Sequence, residues 1–218
     1  MMCPARRPVR LHPARVTATV ILALGVAGCG STTAETRDAD PANTPPDLAG
    51  RWVSACVPNP QADGSTQYFQ LTFNIESARW AVDYVVHGDA VCSVPLLTVQ
   101  IAGPYLLESP SVAVAGAWEG RFGFDARTVR PEVDGLRDFL RGLEGCGDGA
   151  FETGVASDTL AVGCPGLGQY PAADCGEEFD IVRLEGDTLT FGARPADNNM
   201  CTAALRPTAL SPVVNRRQ

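Results

Sequence analysis

The side chains best suited to catalysis or metal binding are few in this sequence. No Gly-x-Ser-x-Gly motif occurs, which would mark the nucleophile of many hydrolases. No Cys-x-x-Cys pair occurs either, and zinc sites commonly use closely spaced cysteines or histidines. His87 shares its strand parity with Asp83 and Asp89, a combination that could serve acid–base or metal chemistry. The solvent face of an amphipathic strand explains this spacing better, so we predict a protein that is not an enzyme and holds no metal or cofactor.

Two other polar clusters have similarly simple interpretations. Asp197-Asn198-Asn199 offers oxygen ligands, but a calcium loop needs more of them at regular spacing and a glutamate at its end. We interpret this segment as a turn. Glu178 and Asp180 are interpreted, with their neighbour Glu177, as the exposed start of a strand.

The cysteine with the clearest chemistry is Cys29. Four arginines and then an apolar run over residues 16–28 precede it, which is the layout of a secretory signal. The run is shorter than the roughly 20 residues that cross a bilayer as a helix. Val26-Ala27-Gly28-Cys29 resembles the lipobox of bacterial lipoproteins, in which the cysteine receives a diacylglycerol thioether and, after cleavage, an acyl chain such as palmitate on its amine. We therefore expect residues 1–28 to be a lipoprotein signal peptide and Cys29 to be the lipid anchor.

Charge limits the partners that the exported chain could bind. Residues 1–28 contain four of the 17 basic residues and none of the 25 acidic ones, so their removal lowers the net charge from −8 to −12. An acidic chain without a basic stripe argues against nucleic acid and against adhesion to anionic lipid head groups. We expect the lipid on Cys29 to be the membrane contact. Gly30, in place of aspartate, indicates the outer membrane of the cell envelope in a cell that has one.

The other cysteines of the exported chain are expected to form disulfides. They are even in number, which in an exported protein indicates three bridges, and sequence alone permits fifteen pairings. The six are Cys56, Cys92, Cys146, Cys164, Cys175 and Cys201.

These residues must be positioned by one domain that follows a linker. Residues 30–47 are rich in Thr, Ala, Asp and Pro and hold no large apolar side chain, which predicts that segment 29–47 is a lipidated cysteine with a flexible tether. The domain is predicted to span residues 48–213, and residues 214–218 are predicted to be a tail.

Apolar residues of the domain recur mainly with a period of two. Phe69, Leu71, Phe73 and Ile75 alternate with polar neighbours, as expected for antiparallel strands with one wet side. Strands are predicted at residues 51–56, 68–75, 79–87, 96–102, 111–116, 117–129, 179–185 and 188–194, with a hairpin between the last two. Residues 132–144 instead carry apolar residues three and four apart between a proline and a glycine, which predicts an amphipathic helix. The fold class is thus mainly β, an antiparallel β-barrel or half-barrel with one helix.

An ordered set of motifs also resembles a known family. The opening Gly50-Arg51-Trp52-Val53-Ser54-Ala55-Cys56 is similar to the Gly-x-Trp-x-Ser and Cys pattern of the domain named after "adenomatosis polyposis coli down-regulated" (APCDD). Further matches follow in order: Tyr84, Cys92, Pro95, Gly103, Tyr105, Cys146-Gly147, Cys164, Leu167-Gly168, Glu178-Phe179-Asp180-Ile181-Val182, Leu189, Phe191-Gly192, Arg194-Pro195, Arg206-Pro207-Thr208 and Pro212.

The sequence departs from this pattern at several points. Val57 stands where an acidic residue is expected, and the chain has one copy of the domain where the animal proteins have two. Cys175 and Cys201 fall outside the pattern. The resemblance therefore implies that the pattern cysteines pair with each other, as Cys56–Cys92 and Cys146–Cys164, and that the extra two form Cys175–Cys201.

The resemblance further implies a lipocalin-like barrel with a hydrophobic cavity able to hold an acyl chain. Its lining is expected from the apolar strand faces: Phe69, Leu71, Phe73, Trp80, Val82, Tyr84, Leu97 and Val99. Because alternation alone does not distinguish a hollow barrel from a filled one, a second hypothesis stays open. In it, these residues fill the barrel, and loops 145–149 and 164–176 bind an envelope protein.

Overall fold

The computed structural model of the protein describes residues 44–218. The predicted signal peptide, Cys29 and most of the predicted tether lie outside these residues. The described part of the chain contains eleven strands and one α-helix: β1 Gly50–Ser54, β2 Val57–Pro60, β3 Thr66–Ile75, β4 Arg79–His87, β5 Pro95–Pro110, β6 Trp118–Gly123, β7 Ala126–Pro131, α1 Asp134–Gly142, β8 Ser157–Asp158, β9 Glu177–Glu185, β10 Thr188–Phe191 and β11 Asn215–Arg217.

Eight of these strands form a closed antiparallel β-barrel in the order β1-β3-β4-β5-β6-β9-β10-β11, with β11 returning to β1. The predicted fold class, mainly β with an antiparallel barrel and one helix, is therefore confirmed. Closure pairs both edges of every barrel strand, so the barrel itself has no free edge. The predicted hairpin also forms, since Thr188 pairs with Glu185 across Gly186.

Strand β5 is longer than the sequence predicted. Its first half pairs with β7 and its second half with β6, on the same edge. The two halves meet at Gly103, where an added Cβ would stand 1.9 Å from the carbonyl oxygen of Gly123. The predicted strand at 111–116 is wrong, because β5 ends at Pro110 and a loop follows; the predicted strand at 117–129 is split into β6 and β7.

The predicted tail is part of the barrel. Residues Asn215, Arg216 and Arg217 form β11, which pairs with β1 on one edge and with β10 on the other. The boundary at 213 is therefore corrected. The sequence at this point has no apolar alternation, and the strand is held by backbone pairing on both sides.

The two ends of the barrel differ. At the end that we call the base, Gly50 pairs with Ile75, and the buried Leu48 accepts a hydrogen bond at its carbonyl from Trp52 Nε1 at 2.9 Å. The Arg217 guanidinium lies 4.1 Å from the centroid of the Trp52 ring and covers it. At the opposite end, the mouth, β2 pairs with the first residues of β3.

A second apolar core lies near the mouth, beneath α1. Leu140 of α1 is fully buried there with Val129, Phe151 and two cysteines. The three disulfides are Cys56–Cys92, Cys146–Cys164 and Cys175–Cys201, which confirms the predicted pairing. All barrel strands, both cores and all three bridges lie within residues 44–218, which we call the barrel domain.

Candidate functional site

The barrel is hollow above its base. A cavity of about 940 Å³ extends from the mouth into the barrel. All eight residues predicted to line a ligand site lie on its wall: Phe69, Leu71, Phe73, Trp80, Val82, Tyr84, Leu97 and Val99. Their binding of a ligand remains a prediction.

Strands β3, β4 and β5 build the apolar wall as three tiers of cross-strand neighbours. The deepest tier is Phe73, Val82 and Ile101, and the next is Leu71, Tyr84 and Val99; the tier nearest the mouth is Phe69, Val86 and Leu97. All nine line the cavity. Val86 and Ile101 were missed in the predicted lining, although their parity along β4 and β5 is the signal that identifies them.

Aromatic rings form the floor of the cavity. Phe73 stacks on Phe191 from the opposite wall at 4.6 Å between centroids, and Phe122 lies edge-on to Phe191 at 5.5 Å and to Trp80 at 5.5 Å. We call these four residues the aromatic floor. The residues that pack below it toward the base, including Leu48 and Trp52, do not line the cavity. The lower part of the barrel is thus filled and the upper part is open.

The mouth is framed by side chains from three places. Asn59 and Gln67 come from the β2–β3 hairpin, Leu136 and Phe139 from α1, and Leu167 from the turn Pro165–Leu167. Phe139 is 52% exposed. The loop 164–176, predicted as a recognition surface in the second hypothesis, is therefore part of the rim.

A polar group lies on the wall opposite the three tiers. It consists of Glu178 and Asp180 on β9 with Arg194 and Asn198, and we call it the polar cluster. Arg194 Nη2 donates to Glu178 Oε1 at 2.5 Å, and its Nε donates to Asn198 Oδ1. Asn198 Nδ2 donates in turn to the carbonyl of Gly168 at 2.9 Å. The cluster therefore ties the barrel wall to the disulfide-bonded loop at the rim.

Asp180 is the most deeply placed charge of this cluster, with 4% exposure. Its Oδ1 accepts hydrogen bonds from the backbone N–H groups of Ile181 at 2.7 Å and Gly192 at 3.0 Å. Burial raises the pKa of Asp180 to about 6, with a further upward contribution from Glu178, while Arg194 and the two backbone donors oppose the rise. The interpretation of Asp180 as part of an exposed strand start is wrong.

Asn215 adds a second buried polar side chain to the cavity wall. It is 1% exposed, and its Nδ2 donates to the carbonyl of Leu189 at 3.1 Å. Its Oδ1 has no hydrogen-bond partner among the described residues. No feature of the sequence Val-Val-Asn-Arg-Arg identifies this position, because the segment carries no strand pattern.

The histidine cluster considered from the sequence does not assemble. His87 is buried rather than solvent-facing, and burial lowers its pKa against the opposing charge of Asp89. The Asp89 carboxylate instead accepts hydrogen bonds from the backbone of Ser93 at 2.8 Å and of Val94 at 2.9 Å, which fixes the β4–β5 turn. Within residues 44–218, no group of three histidine, cysteine or acidic side chains is arranged to hold a metal ion.

Comparison with known proteins adds no relative. No protein-family model matches the chain, and no curated protein matches it. The APCDD resemblance therefore stays a prediction. Among the described residues, no helix has the length and apolar character needed to span a membrane.

Proposed function

We propose that this protein is an exported, membrane-anchored lipoprotein whose barrel binds an acyl chain or a similar apolar molecule without catalysis. The observation that carries the proposal is the cavity of about 940 Å³, whose wall is built by three tiers of apolar side chains. Ligand pockets typically measure about 300–1,000 Å³ and are predominantly apolar. The cavity lies at the upper end of this range.

The wall supplies a driving force that suits a hydrocarbon chain. Each methylene group moved from water to an apolar site contributes about 0.8 kcal/mol. The aromatic floor sets the depth of the site, and the exposed ring of Phe139 extends the apolar surface to the rim. A chain that enters at the mouth would therefore contact apolar atoms along its length.

Membrane attachment through Cys29 is the second part of the proposal. It is supported by the basic, apolar and small-residue order of residues 1–28. Several acyl chains on one residue hold a protein firmly, whereas one chain alone gives marginal binding. The three disulfides agree with folding in an oxidising compartment.

A protein partner at the rim is the alternative function. Phe139 is 52% exposed, Val155 54% and Val162 47%, and all three lie in α1 or in the segments that follow it. Phe139 lies at the mouth of the cavity, and a contiguous apolar patch around it would favour contact with another protein. In this alternative the cavity would stay without a ligand.

Native mass spectrometry of the barrel domain, purified oxidised from a bacterial periplasm, tests the binding function. We expect a lipid in stoichiometric amount, identified after organic extraction. Leu71→Glu, which places a charge on the apolar wall, should abolish it. Asn74→Glu is the matched control, because Asn74 is exposed on the same strand. If the barrel domain of unchanged sequence contains no lipid and does not bind added palmitate, the proposal is contradicted and the protein-partner alternative is favoured.

A further inference from the structure

The two walls of the cavity differ in chemistry. Strands β3 to β5 present the three apolar tiers, with Tyr84 among them and Gln67 at the rim, whereas the wall formed by β9 to β11 and the segments beside them carries the polar cluster and Asn215. A purely hydrocarbon ligand would leave these polar groups buried against apolar atoms, which is unfavourable for groups without hydrogen-bond partners. The cavity is therefore built for a molecule that has a polar part as well as a chain.

The charge balance of the polar cluster disfavours an anionic polar part. Glu178 and Asp180 are two carboxylates, and Arg194 is the one cation of the cluster. Arg194 is already engaged by the Glu178 carboxylate and the Asn198 amide oxygen. A ligand carboxylate would thus meet a wall with a net negative charge.

The same wall has both donor and acceptor capacity for a ligand, because Arg194 uses only two of its five N–H groups on Glu178 and Asn198. Both hydrogen bonds that the structure gives Asp180 go to Oδ1, so Oδ2 is the oxygen left for a ligand donor. Asn215 Oδ1 also has no partner among residues 44–218, but it has no exposed surface in the cavity. Hydroxyl groups donate to a carboxylate oxygen and accept from guanidinium N–H groups without bringing a charge into the barrel. A ligand cation would also supply donors, but it would enter beside Arg194.

We propose that the ligand is an amphiphile with a hydrocarbon chain and an uncharged head group bearing several hydroxyls, as in an acylglycerol or a glycolipid. The chain lies against the tiers of β3 to β5, and the hydroxyls donate to Asp180 Oδ2 and accept from the free N–H groups of Arg194. This inference rests on the proposed function and specifies its ligand class.

Three probes with equal chains and different head groups test it: monolauroylglycerol, laurate and dodecyltrimethylammonium. Binding to the barrel domain is measured by isothermal titration calorimetry at pH 7.5, below the micelle concentration of each probe. We expect monolauroylglycerol to bind about tenfold more tightly than either charged probe. Asp180→Asn replaces the free acceptor by an amide donor and should remove this preference. Asp187→Asn, the same change at a position 85% exposed in the β9–β10 turn, should keep it.

The outcomes separate this inference from the proposed function. Equal binding of the three probes, or tighter binding of laurate, overturns the hydroxylated head group while the apolar site stands. Tightest binding of the ammonium probe overturns it in favour of a cationic ligand. Binding of none of them contradicts the proposed function, and the inference falls with it. A preference that persists in Asp180→Asn shows that Asp180 does not receive the head group.

Discussion

The buried carboxyl group of Asp180 couples the stability of the barrel to pH. Its pKa is about 6 in the folded chain against an ordinary value of 3.8, so the folded state holds its proton more tightly than the unfolded state does. Between these two values the folded state carries more protons, and the free energy of unfolding falls as the pH rises. The contribution of this group is thus greatest in acid and is lost by about pH 6. Glu178 and Arg194 are the charged neighbours that act on it.

Asp180→Asn removes this titration and should stabilise the barrel domain at neutral pH. A shift of this size corresponds to about 2–3 kcal/mol between the two protonation states. We therefore expect the variant to gain about that amount relative to the natural sequence when the pH is changed from 4 to 7.5. Urea unfolding at both pH values measures it. Asp187→Asn should show no such difference, and an equal effect of Asp180→Asn at both pH values would refute the assignment.

The sequence does not reveal this residue because β9 is buried on both faces. Val182 points inward with Asp180, yet Ile181, of opposite parity, is also fully buried. The outer face is covered by Arg206, whose guanidinium lies 5.5 Å from the ring of the neighbouring Phe179. Because both odd and even positions of β9 carry apolar residues, their alternation does not show whether Asp180 faces the barrel interior or its outside. On β3 the outward residues are polar, and on β4 every second residue is large and apolar or aromatic, so the inward set was predictable.

At the scale of elements, β5 joins the barrel strand β6 to the additional strand β7. The first half of β5 pairs with β7 and the second half pairs with β6. Between the halves, the backbone of Gly123 at the end of β6 lies close to Gly103. Gly123 and Gly103 face each other at this point. A side chain here would push β6 away from β5 and separate two paired strands of the barrel.

Gly103→Ala should therefore destabilise the barrel domain by about 3 kcal/mol or more, since its Cβ would collide with backbone that cannot rotate aside. The matched control is Gly135→Ala. Gly135 lies in α1 with open space around its Cα, and alanine there should raise stability by up to about 1 kcal/mol. Thermal unfolding followed by circular dichroism compares the two. A Gly103→Ala domain as stable as the natural one would show that β5 and β6 can separate at little cost.

The elements that could be predicted from the sequence are those whose apolar residues recur with a strand or helix period. Strand β3 alternates apolar and polar residues, β4 has a continuous apolar inward face, and α1 lies inside the predicted helix at 132–144. Strands β2, β8 and β11 were missed because two to four residues show no period; backbone pairing with longer strands holds them. The loop at 111–116 was mistaken for a strand because small apolar residues alternate there without a partner strand.

At the scale of the whole molecule, closure depends on the last residues of the chain. Strand β11 is the only link between β1 and β10 in the described barrel. Without it both strands would become free edges, which template pairing between molecules.

Removal of residues 214–218 should therefore abolish the soluble monomer of the barrel domain. We expect aggregation or loss of the cooperative unfolding transition, measured by size-exclusion chromatography and circular dichroism. A domain that lacks Gln218 alone should remain monomeric, because β11 ends at Arg217. A monomeric, cooperatively folded domain without residues 214–218 would show that the barrel does not need its seam strand.

Leu48 and the opening of the cavity lie at opposite ends of the barrel. The chain enters the barrel at the base, whereas the cavity opens at the other end. Lipidation of Cys29, followed by the flexible tether predicted over residues 29–47, would keep the barrel near the surface of attachment but leave it free to turn. With the mouth toward the aqueous space, cargo would be exchanged with a soluble carrier or an opposing membrane; with the barrel turned over, it would be taken directly from the lipids around the anchor.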